Sequence, residues 1–396
     1  MTTQCFSPGQ INGMTLKNRI IKAATYEGMT RDGAPTEALL QFHLPMAQGG
    51  VAMTTLAYCA TEGDGRVMQN MMYMHEAIRP ELTRIITTLQ EAGTKVSGQL
   101  SHCGYFTKNK AYSGERLLGP SPGRNPMSLA IGKLFVKEMG QADIDHLIES
   151  FVKGARFMKS TGFDAIEIHF GHGYGLSQFI SPKTNHRQDQ YGGSLGNRMR
   201  LPLQVLSAIR AEVGTDFPLL GKISMSDGVE GGIDYDEAVE IAAMLDDGGI
   251  DAIICSGGTS SMNPMLMFRG DSLAEGLREN ETNPLLKFGL KLMGAKLFKV
   301  YPYHDLYFLE QAKRIVDRVK CKVVYIGGTS SRKNLDKIME TGFDFVQIGR
   351  GLIFDPAFAI NAEKNENYQN GCTHCNRCAG RIEHPDGVRC VIRDPQ

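Results

Sequence analysis

A short pattern of polar and apolar positions occurs three times along the chain, at residues 161–168, 248–255 and 341–348. In each copy a glycine ends a segment with helical periodicity, and four or five mainly apolar residues follow it. A glycine between a helix and an apolar run is typical of a helix that leads into a buried strand. The pattern therefore predicts helices that alternate with buried strands.

Five further apolar runs have the length of strands, which brings the predicted number to eight. They lie at residues 20–25, 51–57, 95–100, 219–223 and 322–326. Apolar strands separated by helices favour parallel pairing in a sheet that is covered on both faces. Eight of them in one chain predict an α/β fold, a closed (β/α)8 TIM barrel. A doubly wound open sheet is the structural alternative.

Two long connections interrupt the alternation. Residues 104–142 are rich in glycine, proline and serine, which predicts a lid or hairpin over the mouth of the barrel. Residues 258–300 form an insertion longer than a simple connection, and its sequence indicates no function. We expect the barrel to occupy residues 1–360 and a cysteine-rich tail to occupy residues 361–396.

The balance of charge narrows the class of ligand. Lysine plus arginine equals aspartate plus glutamate at 43 each, without a long run of one sign. This balance indicates neither a nucleic-acid-binding protein nor a polybasic membrane anchor, and it fits a small neutral ligand better. Because the sequence has no apolar stretch of about 20 residues and no signal pattern at its N-terminus, we expect a cytoplasmic protein that does not bind membranes.

Glycines and an arginine follow the last two predicted strands. Gly327 and Gly328 come after the seventh strand, and Gly349 and Arg350 come after the eighth. Barrel enzymes build their sites at the carboxyl ends of the strands, and backbone N–H groups with a guanidinium at this place predict a phosphate site. Taken alone, such glycines are more often tight corners between strand and helix.

Gln99 and Lys222 lie near the ends of the third and fifth predicted strands, from which they would face a flat ligand. An amide can pair with a donor–acceptor edge, and a cation can stabilise negative charge on a reduced ring. Lys222 has an alternative role, which is the neutralisation of a buried carboxylate such as Asp227.

Two imidazoles and a phenol follow the fourth strand within six residues, at His169, His172 and Tyr174. Gly171 and Gly173 between them let the backbone turn sharply. The arrangement predicts a place that holds a substrate and protonates it. The structural alternative is a pair of histidines satisfied by backbone groups at the end of a strand.

Residues 169–201 closely resemble the signature of the Old Yellow Enzyme family of flavin-dependent reductases. They begin His-x-x-His-Gly-Tyr and continue with Ser-Gln-Phe-Ile-Ser-Pro-Lys-Thr-Asn-His-Arg. Further matches at residues 16–20, 98–102 and 119–121 extend the resemblance over nearly the whole chain. The barrel resembles the branch of 2,4-dienoyl-CoA reductase and trimethylamine dehydrogenase, without the C-terminal domains of that branch.

This resemblance implies that the barrel binds FMN and that NADH or NADPH is the reductant. It implies that His169 and His172 bind a substrate carbonyl and that Tyr174 donates a proton. The implied flavin contacts are Ala23, Ala24, Thr25, Gln99, Lys222, Gly327, Gly328, Gly349 and Arg350.

The implied roles agree with one reaction. When reduced flavin delivers hydride to the β-carbon of an activated alkene, negative charge develops on the carbonyl oxygen, where imidazole N–H groups stabilise it. Tyrosine has an ordinary pKa of about 10, so it stays protonated at neutral pH and can supply the proton for the α-carbon. We expect an ene-reductase for an enone or enoyl substrate. Tyr26 and Tyr105 are candidates for an aromatic clamp, with packing as the alternative role.

The sequence departs from the family pattern in three places. Many members carry Pro-Met-Cys or Pro-Leu-Thr where this chain has Ala24, Thr25 and Tyr26. Lys222 replaces the usual arginine under the flavin, and Gly196 replaces a glutamate. These changes leave the mechanism intact and bear on the redox potential and the fit of the substrate.

The C-terminal tail contains four of the nine cysteines. Clustered thiols in a reducing compartment are more typical of zinc or [4Fe–4S] binding than of disulfides. A similar tail in the branch named above binds [4Fe–4S], although its second gap is three residues rather than two. Free thiols are the alternative. The candidate ligands are Cys372, Cys375, Cys378 and Cys390.

Rival functions stay open at this point. An amine-oxidising or demethylating flavoenzyme on the same barrel is the nearest one, although paired carbonyl-binding histidines argue against it. A phosphosugar lyase or isomerase would use the phosphate loops without flavin, and a metal-binding scaffold would have no catalysis. The sequence indicates a small-molecule substrate without identifying it, and a homo-oligomer is possible.

Overall fold

The computed structural model describes residues 4–281 and 284–394. In this part of the chain eight parallel strands close into a barrel in chain order, as predicted. The doubly wound alternative is wrong, because the last strand pairs with the first at Val346 and Ile20. The barrel strands are β1 Ile20–Lys22, β2 Met53–Ala60, β3 Lys95–Ser101, β4 Ala165–His169, β5 Leu219–Ser224, β6 Ala252–Ser256, β7 Lys322–Tyr325 and β8 Phe345–Ile348.

Alternation along each strand divides its side chains between the barrel interior and the surrounding helices. Ala165, Leu220 and Phe345, near the amino ends of their strands, belong to one buried apolar cluster inside the barrel. The N-terminal hairpin of Gly9–Ile11 and Met14–Leu16 adds its own apolar residues to this cluster. The amino end of the barrel is therefore a packed core, and the carboxyl end is left for chemistry.

Helices surround the barrel, and Gln141–Thr161 among them buries an apolar face through Leu147, Phe151 and Met158 at helical spacing. None of the described helices is long and apolar enough to cross a membrane. The helices are α1 Glu37–Gln48, α2 Arg79–Glu91, α3 Gln141–Thr161, α4 Gly175–Ile180, α5 Leu195–Arg198, α6 Arg200–Val213, α7 Tyr235–Asp247, α8 Leu273–Asn280, α9 Pro284–Leu297, α10 Leu309–Val316, α11 Arg332–Glu340, α12 Arg350–Phe354 and α13 Phe358–Lys364.

Two strand ends differ from the prediction by three residues. β1 ends at Lys22 rather than at residue 25, because the chain leaves the sheet after the Ala23 N–H has bonded to the Ile348 carbonyl at 2.9 Å. β2 continues to Ala60 instead of ending at residue 57. The first difference matters for function, since residues 23–25 become a loop at the mouth of the barrel.

The predicted lid is a small sheet beside the loop after β4. Its strands are Leu117–Gly119, Gly123–Arg124 and Phe135–Glu138, with the last of these in the middle. The Tyr105 N–H donates to Gln178 Oε1 in α4 at 3.2 Å, which attaches the lid to the barrel.

The insertion after β6 and the C-terminal tail pack against each other. Asn376 Nδ2 donates to the carbonyls of Phe268 and Asp271 at 2.6 and 2.7 Å. The tail also reaches the loop after β1, where the Val388 N–H donates to the Glu27 carbonyl at 2.8 Å. The tail therefore lies across two loops that border the mouth of the barrel.

Candidate active site

The loop after β4 brings its three candidate side chains together. His169 is the last residue of β4 and pairs with Lys222 in the neighbouring strand. His172 and Gly173 have φ angles of 62° and 77°, so the backbone turns back immediately. The ring centroid of His169 lies 4.9 Å from that of His172 and 4.8 Å from that of Tyr174. The three rings form one cluster, as the sequence predicts.

Hydrogen bonds hold each imidazole through one nitrogen. The Gly171 N–H donates to His169 Nδ1 at 3.3 Å, so Nδ1 carries no hydrogen and Nε2 is the donor. His172 Nε2 pairs with Ser256 Oγ at 2.8 Å, and the backbone N–H of His172 donates to Ser224 Oγ at 2.9 Å. Among the described residues, the second nitrogen of each ring has no hydrogen-bond partner. The backbone therefore bonds to only one of the two ring nitrogens of His169. In each of the two rings, one nitrogen remains for a ligand.

Burial sets the protonation of the cluster. It lowers the pKa of His169 well below the ordinary value, and charge on His172 and Lys222 acts in the same direction. Burial and the charge of Lys222 lower the pKa of His172 to about 3. Burial raises the pKa of Tyr174, which a hydrogen bond from Ser260 partly offsets. At neutral pH the cluster therefore contains two neutral imidazoles and a protonated phenol.

A layer of polar side chains fills the barrel next to the histidines. Lys222 Nζ lies 2.8 Å from Glu167 Oε1, to which Gln99 Nε2 donates at 2.6 Å. Gln347 Nε2 donates to Glu167 Oε2 at 2.8 Å. The carboxylate that neutralises Lys222 is thus Glu167, and Asp227, which the sequence suggested, bonds elsewhere. The ammonium group keeps hydrogens for a further acceptor at the mouth.

The loops after β7 and β8 carry the groups that the sequence assigns to a phosphate. Gly327 and Gly328 have φ angles of 139° and 78°, a region that favours glycine. The Thr329 hydroxyl is buried without a hydrogen-bond partner among the described residues. Gly349 precedes α12, and Arg350 begins it. A buried, unsatisfied hydroxyl directly after two glycines fits an anion such as the phosphate of FMN, whereas the Arg350 guanidinium bonds to the Arg269 carbonyl and to Asn376 Oδ1.

The loop after β1 places Ala23, Ala24 and Thr25 at the same end of the barrel. Ala23 is buried, whereas Ala24 and Thr25 are half-buried. Thr25 Oγ1 accepts a hydrogen bond from Lys22 Nζ at 2.9 Å and donates to Glu27 Oε1 at 3.0 Å. The position of the Thr25 hydroxyl is therefore set by a buried ion pair.

Sequence reasoning missed this ion pair. Lys22 and Glu27 are both fully buried and contact each other directly. His43 in α1 lies 3.7 Å from the same carboxylate, and its Nε2 atom and Glu27 Oε2 are buried without partners among the described residues. The available signal was a lysine inside the apolar run of residues 20–25.

An apolar and aromatic wall lies beside Tyr174. Tyr26 and Tyr174 both pack against it, whereas Tyr105 lies under the lid, where its ring would be 2.6 Å from a Cβ added to Gly119. The ring of Tyr58, which sequence reasoning also missed, has its centroid 5.4 Å from that of Tyr174. The buried members of the wall are Tyr58, Ala60, Val67, Met71, Cys103 and Phe106.

The four cysteines of the tail line one small cavity together with Arg350. Burial raises the pKa of Cys372, and it raises that of Cys378 to about 12. Over residues 4–281 and 284–394, no group of three or more His, Cys, Asp or Glu side chains is arranged to hold a metal ion. The four thiols therefore lie around one cavity, and metal binding stays a prediction.

Comparisons with known proteins agree with this geometry. Residues 4–262 match the NADH:flavin oxidoreductase / NADH oxidase family. The chain is 37% identical over 396 residues to 4,4'-dithiodibutanoate disulfide reductase of Rhodococcus erythropolis, covering 99% of this chain and 96% of that protein. It is 28% identical to an NADH oxidase of Thermoanaerobacter brockii, over 98% of this chain and 55% of the relative.

Among solved structures, a 2-naphthoyl-CoA reductase in complex with 2-naphthoyl-CoA has the same fold. The TM-score is 0.82 at 23% identity, over 100% of this chain and 57% of that chain. The present chain thus spans about half the length of this structure and of the Thermoanaerobacter protein, and nearly all of the Rhodococcus protein.

Proposed function

Since the chain belongs to the NADH:flavin oxidoreductase / NADH oxidase family, we propose that it reduces the C=C bond of an α,β-unsaturated carbonyl compound. This is the Old Yellow Enzyme family, and the protein is an FMN-dependent oxidoreductase that uses NADH or NADPH. Membership excludes two readings that the sequence left open, the flavin-free lyase or isomerase and the inactive scaffold.

FMN, when bound and reduced by the nicotinamide, would supply the hydride for the β-carbon of the substrate. The donors after β7 and β8 would hold its phosphate, at Gly327, Gly328, Gly349 and Arg350. The inner layer and the loop after β1 would contact its ring, at Ala23, Ala24, Thr25, Gln99 and Lys222.

The two histidines would bind the carbonyl oxygen. His169 Nε2 carries a hydrogen because Nδ1 accepts from the backbone, and His172 keeps Nδ1 as its second site. Both rings are neutral and add no charge to the ground state; His169 provides Nε2–H, and His172 provides Nδ1–H in the tautomer whose Nε2 accepts from Ser256 Oγ. Donors that are already in place where charge develops on the oxygen stabilise the transition state more than the substrate.

Tyr174 would give the proton to the α-carbon. Its phenol is protonated at neutral pH because burial raises its pKa. Its ring centroid lies 4.8 Å from that of His169, so the donor stands beside the carbonyl site. The O–H bond of the phenol breaks as the α-carbon–hydrogen bond forms, and the tyrosinate later takes a proton from water.

The observation that supports this function most is the cluster of two neutral imidazoles and a protonated phenol on one strand end. The test is NADPH and NADH oxidation without oxygen, with a cyclic enone, an enoyl thioester and the matching saturated ketone. We expect consumption with the enone or the thioester and none with the saturated ketone. A flavin-containing protein that consumes neither unsaturated compound would contradict the proposal.

A second candidate reaction is the reduction of an organic disulfide, which the match over the whole Rhodococcus disulfide reductase favours. Hydride addition to one sulfur breaks the S–S bond and releases the other sulfur as a thiolate. A thiol has an ordinary pKa of about 8.5, so the thiolate can leave without a proton donor. The same site could therefore perform both reactions with different demands on Tyr174.

For the tail, the proposal is a metal centre held by its four cysteines, either [4Fe–4S] or zinc, in a segment that follows the barrel at residues 361–396. The shared cavity supports it. Binding would require the thiols to lose their protons. Iron, zinc and sulfide analysis of protein purified without oxygen tests the centre, and a protein without any of them would contradict it.

A further inference from the structure

Ser260 makes a direct contact with the phenol of Tyr174. Ser260 Oγ donates a hydrogen bond to the Tyr174 hydroxyl oxygen at 3.2 Å. The backbone N–H of Ser260 donates to the His172 carbonyl at 2.9 Å. In the described part of the chain, Ser260 is the one hydrogen-bond partner of the Tyr174 hydroxyl. A residue from the loop after β6 thus touches the loop that carries the proposed proton donor.

Hydrogen bonds on both sides hold the turn around Ser260. Gly258 has a φ angle of 86°, and its N–H donates to the Ser226 carbonyl at 2.7 Å. The Asn263 N–H donates to Thr259 Oγ1 at 3.0 Å, and Asn263 Nδ2 donates to a carbonyl at 2.7 Å. Bonds on both sides fix the Ser260 backbone, so its hydroxyl has a defined position relative to Tyr174.

The direction of the hydrogen bond has a chemical consequence. A hydroxyl has one hydrogen to donate and lone pairs to accept. Because Ser260 donates, the phenol accepts from it, and the hydrogen of Tyr174 is left for a second partner. After the phenol has given up this hydrogen, its oxygen carries a negative charge, and the bond from Ser260 becomes stronger.

We infer that Ser260 is a positioning residue for proton transfer, which directs the Tyr174 hydrogen toward the substrate and stabilises the tyrosinate that remains. This inference rests on the proposed role of Tyr174 in ene-reduction. Ser260 is half-buried, and its neighbours Ser261 and Met262 are exposed, so water can return the proton to the tyrosinate from this side.

The groups around the phenol change the pKa of Tyr174 in different directions. His169 and Tyr58 have ring centroids 4.8 and 5.4 Å from that of Tyr174, and Cys103 lies in the same wall. Burial raises the Tyr174 pKa most, Cys103 raises it further, and the bond from Ser260 lowers it. Loss of the Ser260 hydroxyl should therefore raise the Tyr174 pKa.

The test compares Ser260→Ala with Ser261→Ala, whose hydroxyl is exposed, and with Ser260→Thr, which keeps a hydroxyl. Re-oxidation of the reduced enzyme by an enone should slow about tenfold in Ser260→Ala, less than the about 100-fold or more that a whole proton donor contributes. Its solvent isotope effect should grow, and flavin reduction by NADPH should not change. Ser261→Ala should match the wild type, and Ser260→Thr should recover most of the rate.

A second readout does not depend on turnover. In protein labelled with ¹³C at tyrosine Cζ, the signal lost in Tyr174→Phe identifies Tyr174, and its titration should move to higher pH in Ser260→Ala. Equal rates and equal titration in Ser260→Ala and Ser261→Ala would overturn the inference. If Tyr174→Phe reduces enones at the wild-type rate, the proposed role of Tyr174 fails, and if the wild type reduces no enone, the proposed function fails, so these failures are distinguishable from failure of the inference about Ser260.

Discussion

The loop after β4 and the C-terminal tail both carry several reactive side chains, but the fold organises them to different degrees. In the loop, His169 lies within 4.9 Å of both His172 and Tyr174, measured between ring centroids, and hydrogen bonds hold each imidazole. In the tail, the cysteines line one cavity, and the described residues contain no arrangement that would hold a metal ion.

The difference follows from what supports each segment. The loop is held between β4 and α4, and Ser224 and Ser256 of the next two strands bond to His172. After the end of α13 at Lys364, the described part of the tail contains only the short 3-10 helix Ala379–Arg381 and is fixed mainly by bonds to other loops. A site built on barrel strands is preorganised without its ligand, whereas thiols on a tail need the metal to complete their geometry.

The largest expected effect is loss of a carbonyl donor in the loop. His172→Ala should lower the rate of enone reduction about 100-fold to 1000-fold, because one donor to the developing oxygen charge is removed. The measurement is anaerobic turnover per bound FMN, with the exposed His186→Ala as control. If His172→Ala turns over the enone as fast as His186→Ala, His172 has no part in enone reduction.

Removal of the proton donor should separate the two candidate reactions. Tyr174→Phe should lower enone reduction about 100-fold or more, since general acid catalysis is lost. Disulfide reduction should stay near the wild-type rate, because a thiolate needs no proton to leave. Both substrates are measured with the same enzyme preparation, and Tyr235→Phe at the start of α7 is the control. If both reactions fall together, Tyr174 has a role other than protonation.

A smaller effect should appear in the pH dependence of stability. The unfolded chain binds protons on His172 near its ordinary pKa of about 6.5, whereas the folded chain does so only near a pKa of about 3. The free energy of unfolding should therefore fall as the pH drops from about 6.5 toward 3. Urea unfolding of His172→Gln should show a weaker fall than His186→Gln. Parallel curves would indicate that His172 is charged in the folded loop.

The smallest effect on the flavin reaction should come from the tail. Cys375→Ser should reduce bound iron or zinc, while enone reduction by NADPH changes little, because the proposed hydride and proton steps use none of the thiols. Metal analysis and turnover are measured together, with the half-buried Cys321→Ser as control. A loss of enone turnover at full FMN occupancy would show that the tail takes part in catalysis.

The barrel and the loop after β4 were predictable because their signals are local. Apolar runs between helical segments gave eight strands in the correct order. The spacing of His169, His172 and Tyr174 placed all three at the end of β4 and on the turn that follows it. Period-two alternation also pointed to Glu167, which is two residues before His169 on the same face of β4, as the partner of Lys222. The expectation of Asp227 overlooked this signal.

Contacts between distant loops were not predictable in the same way. Ser260 and Tyr174 are 86 residues apart, and a serine at the start of an insertion has no distinctive pattern. The contact between His43 and the Lys22–Glu27 pair was not predictable either, because α1 comes close to this pair only when the barrel has closed. Which loops come into contact depends on how the barrel closes, and the local periodicity of the sequence carries no information about this closure.

The central claim is tested most directly by re-oxidation of the NADPH-reduced protein with a cyclic enone, followed in the flavin absorbance without oxygen. The account predicts a yellow protein that NADPH bleaches and the enone restores, with restoration slowed in His172→Ala and Tyr174→Phe but bleaching unchanged. A protein that stays colourless after added FMN, or a bleached protein that the enone never restores, would contradict it.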